Sequence, residues 1–189
     1  MIVYHHTAMG HTASMEDLVR VIKERTDADG HHWVTGYHCV ILGDATVAPF
    51  CRWDRYGNHA AGYNRQSLGL TFMGNFETDP RVPFSNPDGR YGPARPTEAQ
   101  LVSGARVAAL WTLLYDIPLD FEQAIIPHRQ ISSKSCPGGN FPYATFRDLV
   151  GDFHTRWRKE PAAQERIAQF ALKPYLYQGP RPRALRRAS

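Results

Sequence analysis

Short extended runs alternate with longer helical ones along this chain. Ile2 to His6 is apolar up to a closing pair of histidines and predicts a strand. Ser14 and Asp17 have the spacing of a capping box, with Asp in place of the usual Glu or Gln. Leu18, Val21 and Ile22 then set an apolar stripe on a helix running to Arg25, ended by Asp27-Ala28-Asp29-Gly30. Val34 to Leu42 and Ala45 to Cys51 predict a hairpin about Gly43-Asp44, which carries Tyr37 into a sheet. Ser67 to Gly74 is a further strand, apolar at Leu68, Leu70 and Phe72, and its end, Gly74-Asn75-Phe76, opens into a loop.

From Glu77 to Pro96 the chain is broken by Pro80, Pro83, Pro87, Pro93 and Pro96. A loop this long inside a compact domain is expected to be functional or mobile, here as one side of a groove. Thr97 and Gln100 form a second capping box. Leu101, Val102, Ala105, Ala108, Ala109, Trp111, Leu113 and Leu114 follow as a long, largely buried central helix. Ala124 to Pro127 is a short strand that delivers His128. Phe146, Leu149, Val150, Phe153 and Trp157 recur at helical spacing, and another short helix is expected from Pro161 to Leu172.

Composition narrows this picture to one globular domain. The 189 residues are 42% hydrophobic and 21% charged, enough to bury a core but too few for an expected second domain. No apolar run reaches the length of a membrane helix, and no signal-peptide pattern precedes the first strand, so synthesis in the cytoplasm is expected. Three cysteines do not make a disulfide framework, and Cys39 and Cys51, in or beside predicted strands, read as buried structural thiols. The net charge of +4 comes from the end of the chain. Residues 166–189 hold six of the 22 Lys and Arg and no acid, leaving 16 basic against 18 acidic residues before them. Residues 1–172 therefore read as the domain. Residues 173–189 read as a basic, Pro- and Arg-rich tail with too little apolar content to pack.

The candidate chemistry centres on the segment from Pro127 to Gly139. His128 and Cys136 lie eight positions apart, with Lys134 two before the thiol. Zinc accepts imidazole and thiolate, and a catalytic zinc site takes three protein ligands with a fourth position open, so these two residues make part of such a site. The opening strand, ending in His5 and His6, is the strongest source of a third ligand, and alternation sends these two side chains to opposite faces. His38 reads as packed in the sheet, while His11, His31, His32 and His154 read as solvated.

Several motifs then fall in order from Ile2 to Pro142. They are His5-His6-Thr7-Ala8 after a strand, Tyr37-His38 before a hairpin, His59-Ala60-Ala61-Gly62-Tyr63-Asn64, a strand ending Gly74-Asn75-Phe76, and finally His128 with Cys136-Pro137-Gly138. Together they resemble the zinc-dependent N-acetylmuramoyl-L-alanine amidases, which share a fold with the peptidoglycan recognition proteins and with the amidase lysozymes of bacteriophages. The resemblance implies an α/β single domain with a mixed central sheet of about five strands flanked by helices. It implies zinc held by His5, His128 and Cys136, and a substrate groove lined by His59 and Asn64. Tyr37 and Lys134 match the catalytic pair of the phage enzymes: Lys134 would donate to the oxyanion, and Tyr37 would orient or deprotonate the attacking water.

The expected activity is hydrolysis of the bond between N-acetylmuramic acid and L-alanine in peptidoglycan, as a phage endolysin. Such a protein, expected as a monomer, would be made in the host cytoplasm and reach the wall after holin-type release. Two wall-directed alternatives stay open, beside a protein-interaction role for which the sequence shows no polymerase-binding surface. A peptidoglycan-binding protein without catalysis is one, although such members lack the Cys ligand. A cytoplasmic muropeptide-recycling amidase is the other, although that branch uses a carboxylate where Cys136 stands and a glutamate in place of Tyr37. The basic tail is suited to anionic envelope surfaces, with no specific nucleic-acid reader in the sequence.

Overall fold

The computed structural model describes residues 1–26 and 29–171. The tail assigned to residues 173–189 lies outside the described residues. One domain forms around a five-stranded mixed sheet. Its strands are β1 (Ile2–His6), β2 (Cys39–Ile41), β3 (Val47–Pro49), β4 (Leu68–Phe72) and β5 (Ile125–Pro127). They lie in the order β3-β2-β4-β1-β5, with only the β2–β3 hairpin antiparallel. Strand β1 lies between β4 and β5 and is buried along its whole length, as a strand with two parallel neighbours should be.

Helices cover both faces. On one, Ile2 and Tyr4 of β1 and Leu70 and Phe72 of β4 join a core with α2 (Glu98–Leu114) and α3 (Tyr143–Lys159), centred on Trp111, Phe141 and Phe146. Each large apolar side chain fully buried there contributes about 1.5–3 kcal/mol. Close approach depends on Gly104, where a Cβ would stand 2.4 Å from the Phe72 ring. On the other face, α1 (Met15–Lys23) lays Leu18 and Ile22 against Val40 and Met73. Helix α4 (Pro161–Ala171) buries none of its own residues but stacks Phe170 on Trp53, with centroids 5.5 Å apart. Among the described residues no helix is long and apolar enough to cross a membrane.

Both capping boxes are formed. Gln100 does more than cap: its Nε2 donates to the Met73 carbonyl at 3.0 Å, and its Oε1 takes a hydrogen bond from His11 Nε2 at 3.2 Å. His11 is therefore bound to the helix start, where a solvated ring was expected. His154 likewise lies 2.8 Å from Thr112 Oγ1, joining α3 to α2.

Two elements are shorter than the pattern implies. Helix α1 stops at Lys23, because the chain turns to pair Thr26 with His32 and Trp33 N–H donates to the Arg25 carbonyl at 2.9 Å. The hairpin's regular strands cover only three residues each, and Val34, 83% exposed, stands clear of them. Tyr37 lies just before β2. The Cys51 N–H still donates to its carbonyl at 3.1 Å, so the hairpin pairing reaches it just outside the regular strand.

Candidate metal centre

Strand register brings the histidines together. Tyr4 of β1 pairs with Pro127 of β5, so the next residue on each, His5 and His128, emerge side by side at the carboxyl edge, their ring centroids 4.5 Å apart. Immediately after β5 the chain closes a 3-10 turn, His128–Gln130, that sets the second ring. The following loop returns over the sheet. The Arg129 N–H donates to the Cys136 carbonyl at 2.7 Å, and the His6 N–H points to Cys136 Sγ at 3.4 Å. Gly138 lets this loop press on the segment that follows β4, since a Cβ there would stand 2.4 Å from the Phe76 backbone.

The ligand atoms of His5, His128 and Cys136 all lie within 4.8 Å of one another, and all three residues are buried. His5 Nδ1 is 3.7 Å from Cys136 Sγ. His6 points to the other face of β1, where its Nδ1 accepts from the Phe76 N–H at 3.1 Å, as strand alternation requires.

Electrostatics suit a cation held by neutral nitrogens and a thiolate. Burial, then the neighbouring imidazoles, hold His5 well below the usual histidine range, while burial and the Lys134 charge lower His128 to about 4. Both rings are neutral at pH 7 and have lone pairs to give. Burial pushes the Cys136 thiol up to about 12, against the smaller opposing pull of the His6 N–H and Lys134. A thiolate in this position therefore needs a positive partner, and a divalent metal of borderline softness matches two imidazoles and a sulfur.

The three residues form the floor of a cavity of about 770 Å³. Its walls include Tyr37 and Lys134, the α1 side with Arg25 and Trp33, and the loop tip at Phe84. The Tyr37 ring centroid is 5.1 Å from that of His5, and burial pushes its phenol far up, so it stays protonated. Lys134 is exposed at the rim. His59 and Asn64 also reach the cavity, though much of their hydrogen bonding turns inward. Asn64 Oδ1 accepts from the backbone N–H groups of His59 and Ala60 at 2.9 and 2.8 Å, and His59 Nδ1 lies 3.1 Å from His5 Nε2.

One structural residue escaped the sequence reading. Glu77 is buried, and its carboxylate holds the Cys136 loop through Ser135 Oγ and through the Gly139 N–H at 2.9 Å. It follows Gly74-Asn75-Phe76 directly, but its partners are some sixty residues away, a separation that no local spacing signals.

Fold and site define an α/β protein with a three-ligand candidate metal centre below an open groove. Residues 1–139 match the family described as N-acetylmuramoyl-L-alanine amidase, and the chain belongs to that family. An endolysin of Klebsiella phage KP32 is 28% identical over 127 residues, 66% of this chain and 72% of the relative. Peptidoglycan-recognition protein SC2 of Drosophila simulans is 27% identical over 141 residues, 73% of this chain and 67% of the relative. Among solved structures, the amidase LysC from Clostridium intestinale URNW superposes with a TM-score of 0.61 at 24% identity, covering 80% of this chain and 84% of that one.

Proposed function

We propose that this chain is a zinc-dependent amidase that cleaves the bond between N-acetylmuramic acid and L-alanine in peptidoglycan. The observation that carries the reading is Cys136, whose buried sulfur completes a ligand set with His5 and His128. These three residues would hold the metal. When bound, zinc supplies Lewis acidity, which makes a nucleophile from water near neutral pH and polarises a carbonyl.

The chain's own groups supply the rest. Lys134, at the groove rim beside the ligands, donates to the oxyanion that develops on the scissile carbonyl, where a positioned cation has the most effect. Tyr37 acts through its O–H. A phenol that burial keeps protonated is a poor base, so it orients the attacking water. The groove walls, apolar on the Leu18 and Ile22 side and polar around Asn64 and Ser133, suit a glycopeptide that carries both characters.

The likeness to the endolysin of Klebsiella phage KP32 and that of Enterobacteria phage K11, each at 28% identity, supports lysis of a host wall as the setting, with release from the host cytoplasm through a holin. Recognition proteins match about as closely, which supports binding without turnover as the second reading. Digestion of purified cell walls separates them. The amidase reading expects new L-alanine amino groups, no new reducing sugar ends, loss of activity on chelation and recovery with zinc. Wall binding without release of amino groups by zinc-loaded protein would favour the second reading, and new reducing ends would replace both with a glycosidase.

A further inference from the structure

Two acceptors face the outer nitrogen of His59. Its Nε2 lies 3.4 Å from the Ser67 carbonyl oxygen and 3.4 Å from Ser67 Oγ. The Ser67 hydroxyl already donates its only proton to the Tyr63 carbonyl at 2.7 Å, so it has only lone pairs to offer. Nε2 of His59 therefore carries the ring proton. Nδ1 of the neutral ring is then an acceptor, and the atom 3.1 Å from it is Nε2 of His5. His5 must donate from Nε2, which leaves its Nδ1 unprotonated and facing Cys136 Sγ at 3.7 Å. Each proton assignment forces the next, ending at the nitrogen turned toward the ligand cluster.

We propose that His59 is a positioning residue that fixes His5 in the tautomer presenting Nδ1 to the metal, and so sets the zinc affinity of the site. The inference rests on the zinc reading given above. A metal-binding histidine gains basicity and a fixed ring orientation when its other nitrogen donates to a partner, and losing that partner typically weakens metal binding about 10–100-fold.

The surroundings hold His59 for this task. The residue is 8% exposed. Gly69 of β4 leaves space for the ring, since a Cβ there would stand 2.6 Å from His59 Cγ. His38 packs edge-on at 5.4 Å, itself fixed by the Gly69 N–H donating to its Nδ1 at 2.8 Å and by its Nε2 donating to the Arg55 carbonyl at 2.8 Å. Asn64 Oδ1 fastens the backbone at His59 and Ala60. The ring's two nitrogens are thus engaged on the protein side, in addition to the groove-lining place that the family resemblance implies for the residue.

The test uses the full chain as wild type, His59→Leu and His59→Asn. Zinc affinity is measured by competition with a chromophoric chelator, the ligand field by the absorption of the cobalt-substituted protein, and folding by circular dichroism. His59→Leu fills the space without an acceptor and is expected to bind zinc about 10–100-fold more weakly, with a shifted cobalt spectrum. His59→Asn puts Oδ1 near the place of Nδ1 and is expected to recover most of the affinity. Unchanged affinity and spectrum in His59→Leu would overturn the inference while leaving the zinc reading intact. Failure of the wild type to bind zinc would overturn both. Should His59→Leu not fold, nitrogen-15 spectra of the zinc-loaded wild type decide: protonation of His5 at Nε2 is expected, and protonation at Nδ1 would refute the proposal.

Discussion

The carboxylate of Glu77, just beyond β4, accepts a hydrogen bond from the backbone N–H of Gly139 at 2.9 Å. With the further bond from Ser135 Oγ it clasps the loop on both sides of Cys136. Glu77→Ala removes the acceptor and leaves those donors without it. Each charged hydrogen bond contributes about 1.5–3 kcal/mol, so denaturant unfolding should show a loss of roughly that size. Zinc binding should weaken as the thiol loses its fixed position. Glu77→Gln keeps one acceptor oxygen and should fall between. Wild-type stability in Glu77→Ala would show that the loop holds itself.

The same carboxylate gives a pH dependence. Burial opposes its charge, but hydrogen bonds from Ser135 and from the backbone at Asp79 and Gly139 outweigh that and hold its carboxyl below the ordinary 4.5. A depressed folded value means that the unfolded chain takes up the proton first as pH falls. The contribution is therefore fully present above about pH 4.5 and is lost as pH drops through the lower folded value. Urea midpoints of wild type and Glu77→Gln should converge on acidification. Parallel curves down to about pH 3 would assign the acid sensitivity to other groups.

What the sequence made legible was local. The boxes at Ser14 with Asp17 and at Thr97 with Gln100 each span three residues and appear as expected. Strand alternation separated His5 from His6 because a period of two needs no tertiary knowledge. The less legible features all depend on distant partners. Val34 is apolar and β-branched, yet 83% exposed, so its pattern overstated the strand. His11 finds Gln100, His154 finds Thr112 and Glu77 finds Ser135 across gaps that only the folded chain closes. His59 shows the same limit: its motif pointed to the groove, while the geometry also joins it to His5.

Removing the sulfur tests the ligand set. Cys136→Ala deletes one of three clustered ligand atoms and a thiol whose anion burial disfavours more than the His6 N–H and Lys134 favour it. Metal analysis after dialysis should find stoichiometric zinc in the wild type and little in the variant, with wall digestion lost in parallel. Full zinc content together with full lytic activity in Cys136→Ala would remove this residue from the site.

Lys134 and Tyr37 should separate metal binding from turnover. Neither belongs to the ligand cluster, so Lys134→Ala and Tyr37→Phe are expected to retain zinc. If Lys134 stabilises the oxyanion, its loss should lower kcat by about 100-fold or more with a smaller change in KM. Tyr37→Phe keeps the ring beside His5 and removes only the O–H, so any fall in rate reports on that hydroxyl. Near-normal rates in both would make Tyr37 a packing residue and Lys134 a surface cation.

Gly69 offers a way to move His59 without altering it. The residue pairs with Val3 in the centre of the sheet, and its missing Cβ is the space that the His59 ring occupies. Gly69→Ala sets a methyl 2.6–2.8 Å from three ring atoms, so the ring, the loop that carries it, or the strand must shift. Overpacking of this kind costs about 1–3 kcal/mol, which thermal unfolding would register. If the ring shifts, its bond to His5 Nε2 is stretched, and zinc affinity should fall in Gly69→Ala as it does in His59→Leu. The double variant Gly69→Ala with His59→Ala is decisive. With no ring to displace, the added methyl has room, so zinc affinity should match that of His59→Ala alone and the two effects should not add. Full additivity would mean that Gly69 reaches the metal site by another route, such as the backbone of β4 or its bond to His38.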